Sequence, residues 1–271
     1  MKNVHRPRRL QHGLSLIETM VGITVGLLTV LAAVGTLMVT RQGGTTVSES
    51  YRLSSAGNAT MRLIAATIRQ AGATELVQAA PGGNVSFGFF TDRAAGAAGD
   101  QLVSGTEGAG GVPDTLVVSY QHRDDDVTRD CLGNSPGAPP ERIDNTFSVT
   151  TVELRCVGNR GSTGTVIGAG AQALVGDNAN QNTQIAVEDF QVWYWVINAA
   201  GQQRRVTANN VPAATPLGWP AVDAVEVCLQ LRGTATNYPT ANFTNCAGTS
   251  VANGGRLHQV FRGVYKLRNR V

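Results

Sequence analysis

Residues 13–40 read GLSLIETMVGITVGLLTVLAAVGTLMVT, and the organisation of the whole chain follows from that stretch. From Thr19 to Thr40 it holds 22 residues without a charge, rich in Val, Leu, Ile, Ala and Gly. At 1.5 Å per residue a helix of that length spans about 33 Å, enough for a bilayer core. On its N-terminal side, residues 1–13 carry Lys2, Arg6, Arg8 and Arg9 with no acid. The positive-inside bias therefore predicts residues 1–13 in the cytosol and the rest of the chain across the membrane. On the other side, all four cysteines (131, 156, 228 and 246) fall in the translocated part, where an oxidising space suits disulfides. A secretory signal carries its cleavage site after the apolar stretch. Here the punctuation comes first: Gly13, then Leu14-Ser15-Leu16-Ile17-Glu18, then the apolar run.

That order resembles the type IV prepilin family, whose signature is a short basic leader ending in Gly, a hydrophobic residue next, and Glu as the fifth residue of the mature chain. Gly13 matches the residue before the cut and Glu18 the fifth-position acid; Leu14 stands where Phe is more usual. The resemblance implies cleavage after Gly13 by the membrane-embedded aspartyl prepilin peptidase and N-methylation of the new Leu14 amine. Glu18 has a physical meaning of its own. A carboxylate inside a membrane costs about 2.5–3.5 kcal/mol at mid-bilayer on insertion scales and less near the interface, so it needs a partner. Cleavage supplies one: an amine four residues away on the same helix face, or that of a neighbouring subunit. Low dielectric makes the pairing worth more there than in water.

Beyond the apolar run, Gly43-Gly44 predicts a kink or a short melted stretch. Helical pattern resumes with Ser48 as a cap, and Met61, Ile64, Ala65 and Ile68 fall on one face for packing against a sheet, with Arg62 and Arg69 elsewhere. Gly72 is the expected stop. An unbroken rod from Leu14 to Ala71 would be about 87 Å long.

After Gly72 the chain reads as β. Strands are expected over Val85–Phe90, Leu116–Tyr120, Ser148–Val157, Ile185–Ile197, Val222–Arg232 and Leu257–Arg268, each β-branched or aromatic and bounded by Gly, Pro, Asn or Asp. In the last, Leu257, Phe261, Tyr265 and Leu267 share one face while Arg262, Lys266 and Arg268 take the other, as in an antiparallel sheet with one wet face. Segments 91–113, 158–182 and 198–220 are poor in large apolar residues and read as surface loops. Charged residues are 15% of the 271 and Gly contributes 32, which with 42% hydrophobic residues excludes collagenous and disordered chains. Net charge is +3, but with the leader set aside 18 basic face 19 acidic side chains, so nothing argues for nucleic acid.

The cysteines show no C-x-x-C spacing and no Cys/His cluster, which argues against a zinc site. Three disulfide pairings are possible. Cys131–Cys156 and Cys228–Cys246 are favoured, because each pair brackets a Gly/Pro/Asn-rich segment beside a strand; each closure is worth about 3 kcal/mol. Asp124-Asp125-Asp126 with Asp130 could gather round a calcium ion, but they lack the alternating spacing and Gly of an EF-hand loop and read as a solvated loop with Arg123 and Arg129 as counter-charges. Gly133-Asn134-Ser135-Pro136-Gly137 formally matches G-x-S-x-G; Pro136 lacks the N–H that an oxyanion hole needs, so a turn is expected. The glycines at 105–111 lack the strand-to-helix setting of a phosphate cradle. Trp193, Trp195 and Trp219 read as packing rather than a ligand platform. Arg256, Arg262, Lys266, Arg268 and Arg270 could contact DNA but read equally as the wet face of the last strand.

Several stretches, among them 114–118 (DTLVV), 130–134 (DCLGN), 153–159 (ELRCVGN), 188–194 (EDFQVWY), 221–231 (AVDAVEVCLQL) and 260–270 (VFRGVYKLRNR), resemble a PilW-type minor pilin. The resemblance implies an α+β pilin fold: leader 1–13, transmembrane and filament-core helix 14–40, amphipathic continuation 41–72, and a periplasmic β-rich domain 73–271. It implies a non-enzymatic subunit, without cofactor or metal, that helps to initiate or cap a type IV pilus supporting twitching motility, adhesion or DNA uptake. Implied partners are other minor pilins, the major pilin, the prepilin peptidase, the inner-membrane assembly platform and, before assembly, membrane lipid. Its location would be the inner membrane and then the pilus at the cell surface. A J-type minor pseudopilin of type II secretion shares the N-terminal apparatus and is the alternative.

Overall fold

The computed structural model describes residues 15–74, 76–78, 85–87, 101–122, 128–137, 141–161, 163–176, 184–198, 200–212, 219–236 and 238–269. The chain divides into two compact units, one up to Glu49 and one from Ser50 onward. One helix, α1 (Leu16–Gln70, 55 residues), contributes to both. It runs unbroken through Gly43-Gly44, against the expected kink, and Ser48 lies inside it rather than capping a second helix. Each glycine costs about 1 kcal/mol relative to Ala, too little to break a helix whose turns on both sides are already formed. The stop is where the sequence puts it. Gly72 takes φ +73° and donates its N–H to the Ser119 carbonyl at 2.9 Å, while Asn269 Nδ2 donates to the Ala71 carbonyl at 3.1 Å. A Cβ on Gly72 would lie 2.7 Å from the Asn269 carbonyl oxygen, so glycine suits both the turn and the close approach.

The strands, in chain order, are β1 (Leu76–Gln78), β2 (Val85–Phe87), β3 (Val103–Thr106), β4 (Thr115–His122), β5 (Glu141–Thr150), β6 (Glu153–Arg160), β7 (Gln172–Val175), β8 (Ile185–Ile197), β9 (Gln203–Val206), β10 (Val222–Gly233), β11 (Asn242–Thr244), β12 (Ser250–Ala252) and β13 (His258–Lys266). Two antiparallel sheets, ordered β13-β10-β8-β9 and β3-β4-β5-β6-β7, build the globular unit; β1-β2 and β11-β12 are small hairpins. The α+β class and antiparallel sheets agree with expectation.

Leu53, Met61, Ile64 and Ile68 of α1, with Ala71 just past its end, are buried in one core with Val225, Val227 and Leu229 of β10 and Phe190, Val192 and Tyr194 of β8. The period-2 pattern of β8 explains its length: alternate residues from Phe190 to Val196 are buried. Gly57 sits where the Phe261 ring approaches to 2.1 Å of the place a Cβ would occupy, so a larger residue there would have to displace that ring. The two sheets meet along β8, with Val187 donating to the Val152 carbonyl and Asp114 to the Phe190 carbonyl, both at 2.8 Å. The Asp114 carboxylate is buried, and desolvation raises it above its ordinary value, while N–H bonds from Val192 (2.8 Å) and Gly108 (2.9 Å) pull the other way.

The single strand expected over Ser148–Val157 is two, β5 and β6, joined by a tight turn in which Thr151 takes φ +60°. Loops expected over 91–113, 158–182 and 198–220 contain β3, the end of β6, β7 and β9. β3, β7 and β9 have four residues each and lie at sheet edges, so ladder bonds to a neighbour order them without an apolar face of their own. Of Val85–Phe90, the part beyond Phe87 lies outside the described residues.

Candidate functional site

The first half of α1 poses the central problem of the molecule. From Ser15 to Ser48 every described side chain is exposed, including Leu16 (77%), Leu28 (66%) and Val39 (71%). A globular protein does not leave such an apolar area in water. The helix is long and apolar enough to cross a membrane. Its polar groups are handled accordingly: the hydroxyls of Thr19, Thr24, Thr29, Thr36 and Thr40 all donate to carbonyls three or four residues back, at 2.8–2.9 Å. A hydroxyl satisfied on its own helix costs little in an apolar medium.

The surface of this segment is also asymmetric. At 100° per residue Glu18, Gly22, Gly26, Thr29, Ala33 and Thr36 share one side, and Leu16, Met20, Ile23, Leu27, Leu31 and Val34 the other. Small residues at four-residue spacing let two helices approach closely without lipid between them. The reading of the sequence passed over this face; the Gly22–Gly26 spacing was the available signal. Glu18 stands in the first turn, where its charge suits the positive helix end, and its N–H donates to the Ser15 carbonyl at 3.0 Å. Gly13 and Leu14, the expected cut and new N-terminus, lie outside the described residues.

The remaining sequence-marked residues are accounted for structurally. Disulfides join Cys131 to Cys156 (Cα–Cα 6.4 Å) and Cys228 to Cys246 (5.7 Å), the pairs expected. Asp130 is not free for a cation: it accepts N–H bonds from Leu132 (2.9 Å) and Asn134 (2.7 Å) and the Asn134 side-chain amide (3.0 Å), shaping the loop at Cys131. Asp124, Asp125 and Asp126 lie outside the described residues. The 133–137 segment is the expected turn, with Arg160 donating to the Pro136 carbonyl at 3.1 Å through Nε. Trp219 packs edge-on against Tyr194 (centroids 4.8 Å apart), and Trp193 lies under the guanidinium of Arg205 at 4.0 Å.

In the basic group of the last strand, Arg262 donates to the buried Glu226 at 2.9 Å, a carboxylate that also accepts from Arg205 at 2.8 and 3.0 Å. Arg262 also donates to the Cys246 carbonyl at 2.6 Å, Arg256 to the Thr234 carbonyl at 2.7 Å, and Lys266 is 3.9 Å from Asp223. Arg268 is exposed, and Arg270 is outside the described residues. Within this group Arg262 and Lys266 have carboxylates beside them. Among the described residues no cluster of His, Cys, Asp or Glu could hold a metal ion.

No family model matches the chain, and no curated protein sequence matches it. Among solved structures, it is similar to a type IV-like pilin from Thermus thermophilus, with a TM-score of 0.50 and 14% identity over 81% of this chain and 99% of that one. At that identity the likeness concerns the fold: a long N-terminal helix and antiparallel sheets in a type IV pilin-like arrangement.

Proposed function

We propose that the chain is a minor pilin of the PilW type, held in the inner membrane by residues 14–40 and drawn from there into a pilus by the same helix. Prepilin peptidase would cut after Gly13, and the methylated Leu14 amine would meet Glu18 of its own chain or of a neighbour. The observation that carries this reading is the exposure of the whole apolar run from Thr19 to Thr40, on a helix whose far half buries one face in a pilin-like fold. A bilayer covers that area before assembly, and other helices cover it afterwards. The face of Gly22 and Gly26 favours helix contact, and Glu18 supplies the one charge that distinguishes one register from the next. The leader charges support a cytosolic N-terminus and a periplasmic globular unit, as do the two disulfides. The activity is binding rather than bond chemistry, with the domain from residue 73 onward making lateral contacts to other pilins at a tip or initiation complex.

The test is Glu18→Ala. Processing should proceed normally while recovery in sheared pili falls at least tenfold. Wild-type recovery would remove the role assigned to Glu18.

A further inference from the structure

β13 departs from the way the rest of the molecule treats its sheet edges. The other three edges of the two main sheets are four-residue strands, whereas β13 is an edge of nine residues. Leu267 donates to the Asp223 carbonyl and Gly233 to the Leu257 carbonyl, which fixes the odd-numbered residues of β13 as those bonded to β10. Val260, Arg262, Val264 and Lys266 therefore turn their backbone N–H and C=O groups outward, and among the described residues none of these groups is paired. Val264 is 57% exposed, so no bulky charge shields the middle of the edge. A long open edge of this kind is a template for another strand.

Beside that edge runs a groove of about 480 Å³, with Phe261 and Tyr265 on the strand side and Asn58, Arg62 and Arg69 on α1. Arg62 and Arg69 are two helical turns apart, about 10.5 Å along the axis, on one side of α1. Neither meets an acid among the described residues: Arg62 donates to the Asn58 carbonyl at 3.3 Å, and Arg69 lies 5.9 Å from the Tyr265 ring centre. Arg205 and Arg262, by contrast, both pair with Glu226.

We propose that the β13 edge binds an extended acidic segment of a partner protein by strand addition. The peptide backbone would pair with the outward groups of Val260, Arg262 and Val264. Side chains at every second position would turn toward α1, where carboxylates two or four residues apart reach Arg62 and Arg69. Main-chain bonds give affinity in this mode and the alternate side chains give selectivity. The surface lies within the unit from Ser50 onward, so it operates whether or not the first half of α1 enters a filament.

The probe is a fluorescent decapeptide of alternating Thr and Glu, with a Thr/Lys peptide as control, titrated by anisotropy against the full chain in detergent micelles. The acidic peptide should bind and the basic one should not. Arg62→Glu with Arg69→Glu should weaken binding at least tenfold; both are exposed and leave the core untouched. Val264→Pro removes an outward N–H without breaking a bond to β10 and should also weaken binding at least tenfold. Circular dichroism checks its fold; if that variant misfolds, N-methylation of alternate peptide bonds in the probe tests the same backbone pairing. Equal binding of both peptides would overturn the proposal. So would acidic binding insensitive to Val264→Pro or to backbone methylation, which would mean charge attraction without strand pairing, or displacement of the peptide by single-stranded DNA at equal charge concentration. Self-association of the chain through β13 in place of peptide binding would overturn it as well.

Discussion

Residues 16–48 and 50–71 belong to one continuous helix or its immediate end, yet their apolar side chains meet opposite fates. In the second stretch Leu53, Ile64 and Ile68 are fully buried, and the threonines at 60 and 67 return their hydroxyls to the Ala56 and Leu63 carbonyls. In the first, Leu27, Leu28 and Leu31 are no less hydrophobic, yet each stays more than half exposed. A helix carrying a narrow apolar stripe needs one sheet to cover it; a helix apolar all round needs a surrounding medium or a bundle. The chain supplies the cover for one half only. The other half specifies an environment outside the chain.

Substitutions should separate the two halves by size of effect. Ile68→Ala, with no side-chain exposure to lose, should cost about 3–4 kcal/mol in chemical unfolding of the full chain in micelles, followed by near-ultraviolet circular dichroism. Cys228→Ser with Cys246→Ser should cost about 3 kcal/mol by the same measurement, since that bridge ties an 18-residue separation to the middle of β10. Asp114→Ala should cost about 2 kcal/mol by stranding the Gly108 and Val192 N–H groups. The carboxyl also makes a signed pH prediction. Its folded pKa lies above the unfolded value near 3.9, so its contribution is fully present below about pH 4 and is lost as pH rises through the folded value. Asp114→Asn should flatten that fall. Leu28→Ala should leave unfolding unchanged within about 0.5 kcal/mol; a loss as large as that of Ile68→Ala would erase the contrast.

Legibility followed the same divide. The apolar run and the Met61–Ile68 stripe hold over many residues, and β8 alternates from Phe190 to Val196, so each could be read residue by residue. Gly72 was readable because a left-handed residue at a helix end has a chemical signature. The Gly43-Gly44 kink was misjudged because two local penalties were weighed without the cooperativity of the helix around them. β3, β7 and β9 were missed for a different reason: QALV and QRRV carry no pattern, and their order comes from partners remote in sequence. The acid beside Arg262 could not be read from the sequence, because Glu226 and Arg262 are 36 positions apart and meet only across the β10–β13 ladder. The small-residue side of the apolar helix was present in the sequence all along, at i, i+4 spacing, behind the stronger hydropathy signal.

Under the proposed function, the exposed half of α1 is an assembly segment freed at its N-terminus. Intact mass and N-terminal fragmentation of the protein, purified from cells with an active processing peptidase, test this directly. The expected product begins at Leu14 with one added methyl group on its amine, and a chain still beginning at Met1 would leave only a membrane-tethered globular protein.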